Sequence, residues 1–374
     1  MKIRLKNIII LVLILISVTN NGLFVNSYNN SDTDENFFWE TEYKYLKYFD
    51  ENLTQRYSSS ENEKRAALYL EDQLKDFGYN PEIESFEFEL KGGYYKSQNI
   101  IAKKIGESSS RKIIVGAHYD SVQTSGIGDN ASGVALILTY AKYLSKVSTN
   151  YDVEFIFFGS EELGMQGSKA YIKEASEEDI DKTIVMINAD CLLAGTYRYV
   201  YGGNIGRLGY VENEWGVKLV KSISDEMGLG IRLNNTAIAT YPTPTAVPHS
   251  DHVSFESVGI PYIYFEATNW ELPDDPNCYS KGSSGDYETE IGRVMHNAER
   301  DNLTFILNTF GSRAEENMKA YSKILVKTVE NIFTYQSKSD LRVINDKWGY
   351  ILVIGFIILT MVSVLCILKH RMKL

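Results

Sequence analysis

Positive charge is in short supply in this sequence. Its 374 residues carry 38 Lys and Arg against 49 Asp and Glu, a formal net charge of −11. Six of the basic residues (Lys2, Arg4, Lys6, Lys369, Arg371 and Lys373) lie in the terminal segments, so the centre is more acidic still. Without a basic patch to displace counterions from phosphates, the chain is not built to bind nucleic acid. Cysteine is almost absent. Cys191 and Cys278 could pair in an exported protein, and Cys366 falls in an apolar run, but two distant residues do not make a disulfide framework. Histidine is also scarce, at five residues, one of them His370 in the C-terminal tail. Low-complexity tracts and internal repeats are also missing. With 44% hydrophobic and 23% charged residues, the composition is that of a globular protein rather than a disordered one.

The long apolar runs sit at the two ends. Three positive charges precede the stretch Ile8 to Val18, which is short for a membrane span but suits a signal-peptide core. Val25 and Ser27 offer small residues before a cleavage point, so residues 1–27 are expected to be a signal peptide or an uncleaved N-terminal anchor. From Trp348 to Leu368, 21 residues pass without a charge. As a helix they would cover ~30 Å, a bilayer core. The basic tail 369–374 follows, which the positive-inside rule places in the cytoplasm. The expectation is a cell-membrane protein with one C-terminal transmembrane helix. Residues 28–340, a folded domain with a stalk, would then lie outside the cytoplasm.

Between the ends, Ser60 to Tyr79 reads as an amphipathic helix, with Ser60 and Glu63 at capping-box spacing and Gly78 as terminator. Residues 82–90 alternate like a strand, and 98–105 offers another. A rhythm of short apolar runs follows, each ending in polar residues. Ile113-Ile114-Val115 leads to His118, Val153–Phe158 to Glu161, and Ile184–Ile187 to Asp190. A helix from about Ser132 to Lys146 separates the first two, Tyr262–Phe265 ends in Glu266, and residues 314–335 read as a closing helix. Continuous apolar runs alternating with helices predict an α/β fold. It should have three layers, with a central mixed, mostly parallel sheet covered by helices on both faces. In such sheets functional groups gather beyond the carboxyl ends of the strands.

Those ends carry His118-Tyr119-Asp120, Glu161-Glu162 and Asp190, with Asp129 on the loop after the first. Imidazole and carboxylate donors suit a divalent metal, and paired metals need a carboxylate able to bridge them. A hydrolytic centre also needs a carboxylate free of the metal to take a proton from water. Each element alone is commonplace: His-x-Asp is usually incidental, Glu-Glu usually solvated, and Asp after a strand often a helix cap. Their succession at adjacent strand ends is what points to a metal centre.

At these residues the chain resembles the two-zinc aminopeptidases, a family that also includes glutamate carboxypeptidase and glutaminyl-cyclase-like enzymes. The matching pieces are GAHYDS around His118, GIGDNASGVA around Asp129, FGSEELGMQGS around Glu161, NAD at Asp190 and SDHVSFESVGIPYIYFEATNW from Ser250, spanning roughly residues 40–335. EATNW and the later HNAERDN look most like the alkaline phosphatase isozyme conversion subgroup. The resemblance implies a zinc-exopeptidase fold and two Zn2+ per chain, with Mn or Co able to occupy the same donors. It implies His118 and Asp190 as terminal ligands, Asp129 as the bridge, Glu162 completing one coordination sphere and Glu161 as general base toward a hydroxide shared by the ions. Asp120 would orient His118, and a cis peptide is expected at Asp129-Asn130.

His249, His252 and His296 remain for the final ligand. In the family it precedes an Asp by a few residues, which suits His296 followed by Asp301; His252 belongs to the Ser-Asp-His stretch that lies near the site without ligating. The family's oxyanion-stabilising Tyr is missing: Met295 and Val247-Pro248-His249 stand at the corresponding places. His249 is the candidate replacement donor. The implied activity is removal of N-terminal residues from exported peptides or proteins. A carboxypeptidase or glutaminyl cyclase on the same fold, or a non-catalytic binding ectodomain, are the competing readings. If His249 stabilises the oxyanion, His249→Ala lowers kcat with little change in KM; an unchanged kcat would exclude that role.

Overall fold

The computed structural model of the chain describes residues 35–205, 211–212, 215–233, 250–268 and 294–334. The apolar terminal runs, the stalk beyond 334, His249 and Cys278 lie outside the described residues. Among the described residues no helix is long and apolar enough to cross a membrane. The chain divides into a short unit, Met1–Phe37, and the remainder from Phe38; the sheet and the site belong to the latter.

Helix α1 (Glu35–Asn52) leads into α2 (Glu61–Asp76) and the hairpin β1 (Glu82–Leu90) and β2 (Gly93–Lys104). Lys91 and Gly92, both at positive φ, make its turn, where glycine adopts a left-handed backbone without cost. Then come β3 (Ser108–His118), α3 (Ser132–Leu144), β4 (Tyr151–Phe158), α4 (Gln166–Glu174), α5 (Glu177–Lys182) and β5 (Thr183–Ala189). After them follow β6 (Tyr197–Ile205), β7 (Val211–Glu212), α6 (Trp215–Met227), β8 (Ile231–Leu233), α7 (His252–Glu256), β9 (Tyr262–Thr268) and α8 (Leu303–Phe310). A final helix, α9, runs through residues 312–334.

The strands form one sheet in the order β1-β2-β4-β3-β5-β9-β6-β7, with β8 beside β6. The expected mixed sheet is there, but its continuous parallel run is β4-β3-β5-β9, with a short parallel pairing of β8 to β6, while β1, β2, β6 and β7 join that run through antiparallel pairings. The difference from a mostly parallel sheet is physical. A strand joined to its neighbour by a tight turn can only return antiparallel, as β1 and β2 do, whereas parallel neighbours need helical crossovers. The four central strands carry the unbroken apolar runs.

Side-chain alternation along these strands separates two faces. Ile114, Ile156, Phe158 and Met186 form a buried cluster with Tyr171 of α4 and Phe255 of α7. Phe155, on the opposite face, meets Tyr79 and Tyr140 of α3, and Phe265 meets Tyr321 of α9. Helices therefore cover both faces. Helix α3 is buried on almost every side, which its near-continuous apolar sequence requires.

Glu42, on α1, is fully buried and accepts from the Ser322 hydroxyl of α9. Burial pushes its carboxyl from the ordinary 4.5 up to about 8, the Ser322 bond opposing. The folded state thus keeps a proton that the unfolded chain gives up. Stability from this group is complete below pH 4.5 and lost as pH rises through about 8. Glu42→Gln is expected to raise Tm by roughly 3 °C at pH 9 and to lose that advantage near pH 4.5, as calorimetry across the range would register.

Candidate metal centre

His118 is the last residue of β3 and pairs in register with Phe158, the last of β4; Asp190 follows the last residue of β5. Three neighbouring parallel strands thus deliver residues at or just beyond their ends to one edge of the sheet. Asp129 arrives from the turn Ile127–Ala131, where the Asp129-Asn130 peptide is cis, as expected from the sequence. Asn130 fixes this turn, its amide donating to the Ala189 carbonyl at 2.9 Å and accepting from Gly133 N at 2.8 Å. Ser132 adds bonds to Gly128 O and from Leu192 N.

Two donor clusters result, and they share one residue. His118 Nε2 lies 3.2 Å from Asp129 Oδ1 and 3.4 Å from Asp190 Oδ1. His296 Nε2 lies 3.1 Å from Asp129 Oδ2 and 2.9 Å from Glu162 Oε2. Each cluster offers its donors within 4.8 Å of one another. Donors about 2.0–2.2 Å from a tetrahedral ion stand roughly 3.4 Å apart, so the spacing fits zinc. Asp129 Oδ2 and Asp190 Oδ1 are buried and, among the described residues, accept no hydrogen bond, as expected of oxygens shaped to face a cation.

Asp120 lies behind the clusters. Its oxygens accept from Glu161 N at 2.9 Å and Glu162 N at 3.2 Å, and Oδ1 faces His118 Nδ1 at 3.4 Å. One carboxylate therefore ties the β3 end to the β4 end. Ser250 donates to Asp190 Oδ2 at 2.7 Å and accepts from Asn188. Asp301 accepts from Gly128 N at 2.6 Å. His252 is buried between Tyr262 and Tyr264, with ring centroids 4.4 and 4.7 Å away, and belongs to neither cluster.

The electrostatics are those of crowded carboxylates. Burial and the charge of Asp129 push Glu162 up to about 7, while His296 opposes them. Burial lifts Glu161 well above its ordinary range; His118 opposes, and Asp251, Glu162 and Asp190 add to the lift. Burial disfavours a charged His296, but the adjacent carboxylates of Asp129 and Glu162 outweigh it and raise it to about 11. Burial would raise Asp129, yet His118 and His296 hold it well below the carboxylate range. The imidazoles act here as stand-in cations.

Sequence reading missed Arg56. Its fully buried guanidinium donates to the carbonyls of Leu53, Tyr119, Ser125 and Gly126 at 2.6–2.9 Å, closing the loop between His118 and Asp129. A lone Arg in a polar stretch carries no local signal of such a role. Glu63 was legible only as a helix cap, and Ser250 and Asp251 only as parts of a motif.

An α/β sheet with two His–carboxylate clusters at its carboxyl edge, sharing one Asp, has the donor arrangement of a metal-dependent hydrolase. Residues 99–322 match the model of peptidase family M28, and the chain belongs to that family and is a zinc metallopeptidase. It is 23% identical over 305 residues to the alkaline phosphatase isozyme conversion protein of Escherichia coli, covering 74% of this chain and 86% of that one. Over 97 residues it is 40% identical to aminopeptidase YwaD of Bacillus subtilis, covering 25% of this chain and only 21% of the relative. In fold it is similar to a zinc aminopeptidase from Bacillus subtilis, at 15% identity and TM-score 0.61, with 79% of this chain and 95% of that one covered. A glutaminyl cyclase from an Acidobacteriales bacterium is as similar, at 16% identity and TM-score 0.61, with 80% and 96% covered.

Asp129→Ala is expected to remove metal from both clusters and Glu162→Ala from one, measured as metal per chain by elemental mass spectrometry. Equal losses in the two variants would count against a shared carboxylate.

Proposed function

We propose that the chain is an aminopeptidase that uses two zinc ions to remove N-terminal residues from peptides or proteins outside the cytoplasm. The observation that carries this reading is the pair of donor clusters sharing Asp129, with Glu161 beside them and in neither. The relatives named as aminopeptidases support the substrate class, and a glutaminyl cyclase of the same fold supports the competing reaction.

In this reading His118, Asp129 and Asp190 would hold one ion, and Asp129, Glu162 and His296 the other. Metal bound there would supply Lewis acidity and a more acidic water. Glu161 takes the proton of that water on a carboxylate oxygen and delivers it to the nitrogen of the leaving amine. Asp120 holds the Glu161 and Glu162 amides in place and faces the far nitrogen of the His118 ring, fixing its orientation. His249 remains the proposed oxyanion donor.

The extracytoplasmic setting and single-pass anchor at 348–368 rest on the charge pattern of the two ends, which lie outside the described residues. A peptidase held at the membrane by its C-terminus meets substrates as they leave the cell.

The soluble segment, residues 28–340, is expected to hydrolyse amino-acid p-nitroanilides. Glu161→Gln should lower kcat by roughly 10²–10⁴-fold with metal content unchanged. A two-metal wild type inert on every amino-acid p-nitroanilide but active on substrates with a blocked N-terminus would make the carboxypeptidase reading the leading one. One bound ion and turnover of N-terminal glutamine would favour the cyclase. A folded protein that holds no metal would favour a binding ectodomain.

A further inference from the structure

Glu63 is doing more than the sequence requires of it. A capping-box Glu should reach back to the backbone N–H of the capping serine. Half of that box forms: Ser60 Oγ accepts from Glu63 N at 3.0 Å. The other half does not, since Ser60 N is bonded to the Tyr57 carbonyl. The Glu63 carboxylate instead takes Ser59 N on Oε2 at 2.7 Å, and its Oε1 accepts from the Ser97 hydroxyl at 2.6 Å and the Ser160 hydroxyl at 3.3 Å. Helix capping is normally a surface device, yet this side chain is fully buried.

Ser160 is the residue immediately before Glu161. It is fully buried and holds φ at 55°, in the left-handed region that a residue with a Cβ avoids. The slot it leaves by is narrow. A Cβ on Gly159 would lie 2.4 Å from Ser97 Oγ and 3.2 Å from Glu63 Oε1, and Gly159 N is held by Asn99 Oδ1 at 3.2 Å. Downstream, Asp120 grips the Glu161 and Glu162 amides. Upstream, the only side chain bonded to the Ser160 hydroxyl among the described residues is Glu63.

We infer that Glu63 is a positioning residue for Glu161: by holding the Ser160 hydroxyl it fixes the left-handed exit from β4 and so the direction in which Glu161 enters the cleft. The inference rests on the proposed role of Glu161 as base. It commits Glu63 to kcat rather than to substrate binding or metal retention, because displacing a reacting group by about 1 Å can cost on the order of 10²-fold in rate.

The test compares wild type, Glu63→Gln, Glu63→Ala, Ser160→Ala and the double variant Glu63→Ala/Ser160→Ala. Glu61→Gln, in the same helical turn but exposed, is the control. Readouts are kcat and KM on the preferred p-nitroanilide, metal per chain, and amide hydrogen exchange of the peptide covering 155–165. Glu63→Ala is expected to lower kcat by roughly 30–100-fold, with KM and metal within twofold and faster exchange confined to 155–165. Glu63→Gln, which keeps the acceptor oxygen, should retain most of the activity. The double variant should be no worse than Glu63→Ala, since both act through one contact.

A Glu63→Ala protein with lowered Tm but wild-type kcat per folded molecule and unchanged exchange would overturn the inference, and so would additive losses in the double variant. Should Glu63→Ala fail to fold, Ser160→Ala decides alone: unchanged kcat and exchange refute the inference. If Glu161→Gln keeps full activity, the proposed base is wrong. The exchange data would still report whether Glu63 governs the segment after β4.

Discussion

Negative charge gathered where water is scarce is the constraint on which this structure turns. Asp120, Asp129, Asp190 and Asp301 are buried about the carboxyl ends of the central strands, and Glu161 and Glu162 are half-buried beside them. Isolated buried carboxylates are costly, and a group of them is tolerable only when cations or hydrogen-bond donors are built in around them. Arg56 supplies one fixed positive charge, and burial lowers even its guanidinium to about 10. Backbone amides supply partial charge to Asp120 and Asp301. The oxygens left over, on Asp129 and Asp190, are those turned toward His118 and His296.

The fold is the means of bringing these groups together. Parallel strands point the same way, so β3, β4 and β5 end at one edge, and the residue after each apolar run lands beside its neighbours. The antiparallel hairpin extends that edge on one side: β2 pairs with β4 only from Ile100 onward, leaving Gly93–Asn99 to flank the site. Ser97 and Gln98 in this stretch bond Glu63 and Tyr119, so the flank is continuous with the bonding behind the clusters.

Much of this was legible in the sequence where one physical signal dominated. The apolar runs of β3, β4 and β5 located the central strands, and the polar residues after them located the cluster. His118, Asp129, Glu162, Asp190 and His296 do converge. Less legible was whatever depends on contacts far apart along the chain. Arg56 meets Tyr119, Ser125 and Gly126, and no local pattern announces that. Glu63 looked like a cap because capping is a local rule, and its bonds to Ser97 and Ser160 are not local. The antiparallel flanks were blurred for a related reason: an apolar run states that a strand is buried, not which way its neighbour runs.

Several glycines around the strand ends leave almost no clearance. A methyl group on Gly133 would sit 2.3 Å from the Ala189 carbonyl oxygen, and one on Gly167 would sit 2.4 Å from Asn99 Oδ1. Together with the slot at Gly159, they make the floor a place where backbone rests directly on backbone or on buried polar groups. At these positions a side chain would lift α3 or α4 off the strand ends they rest on. Changes compatible with this packing are therefore expected in the segments that follow the strand ends. Natural variants should accumulate there while the floor stays fixed.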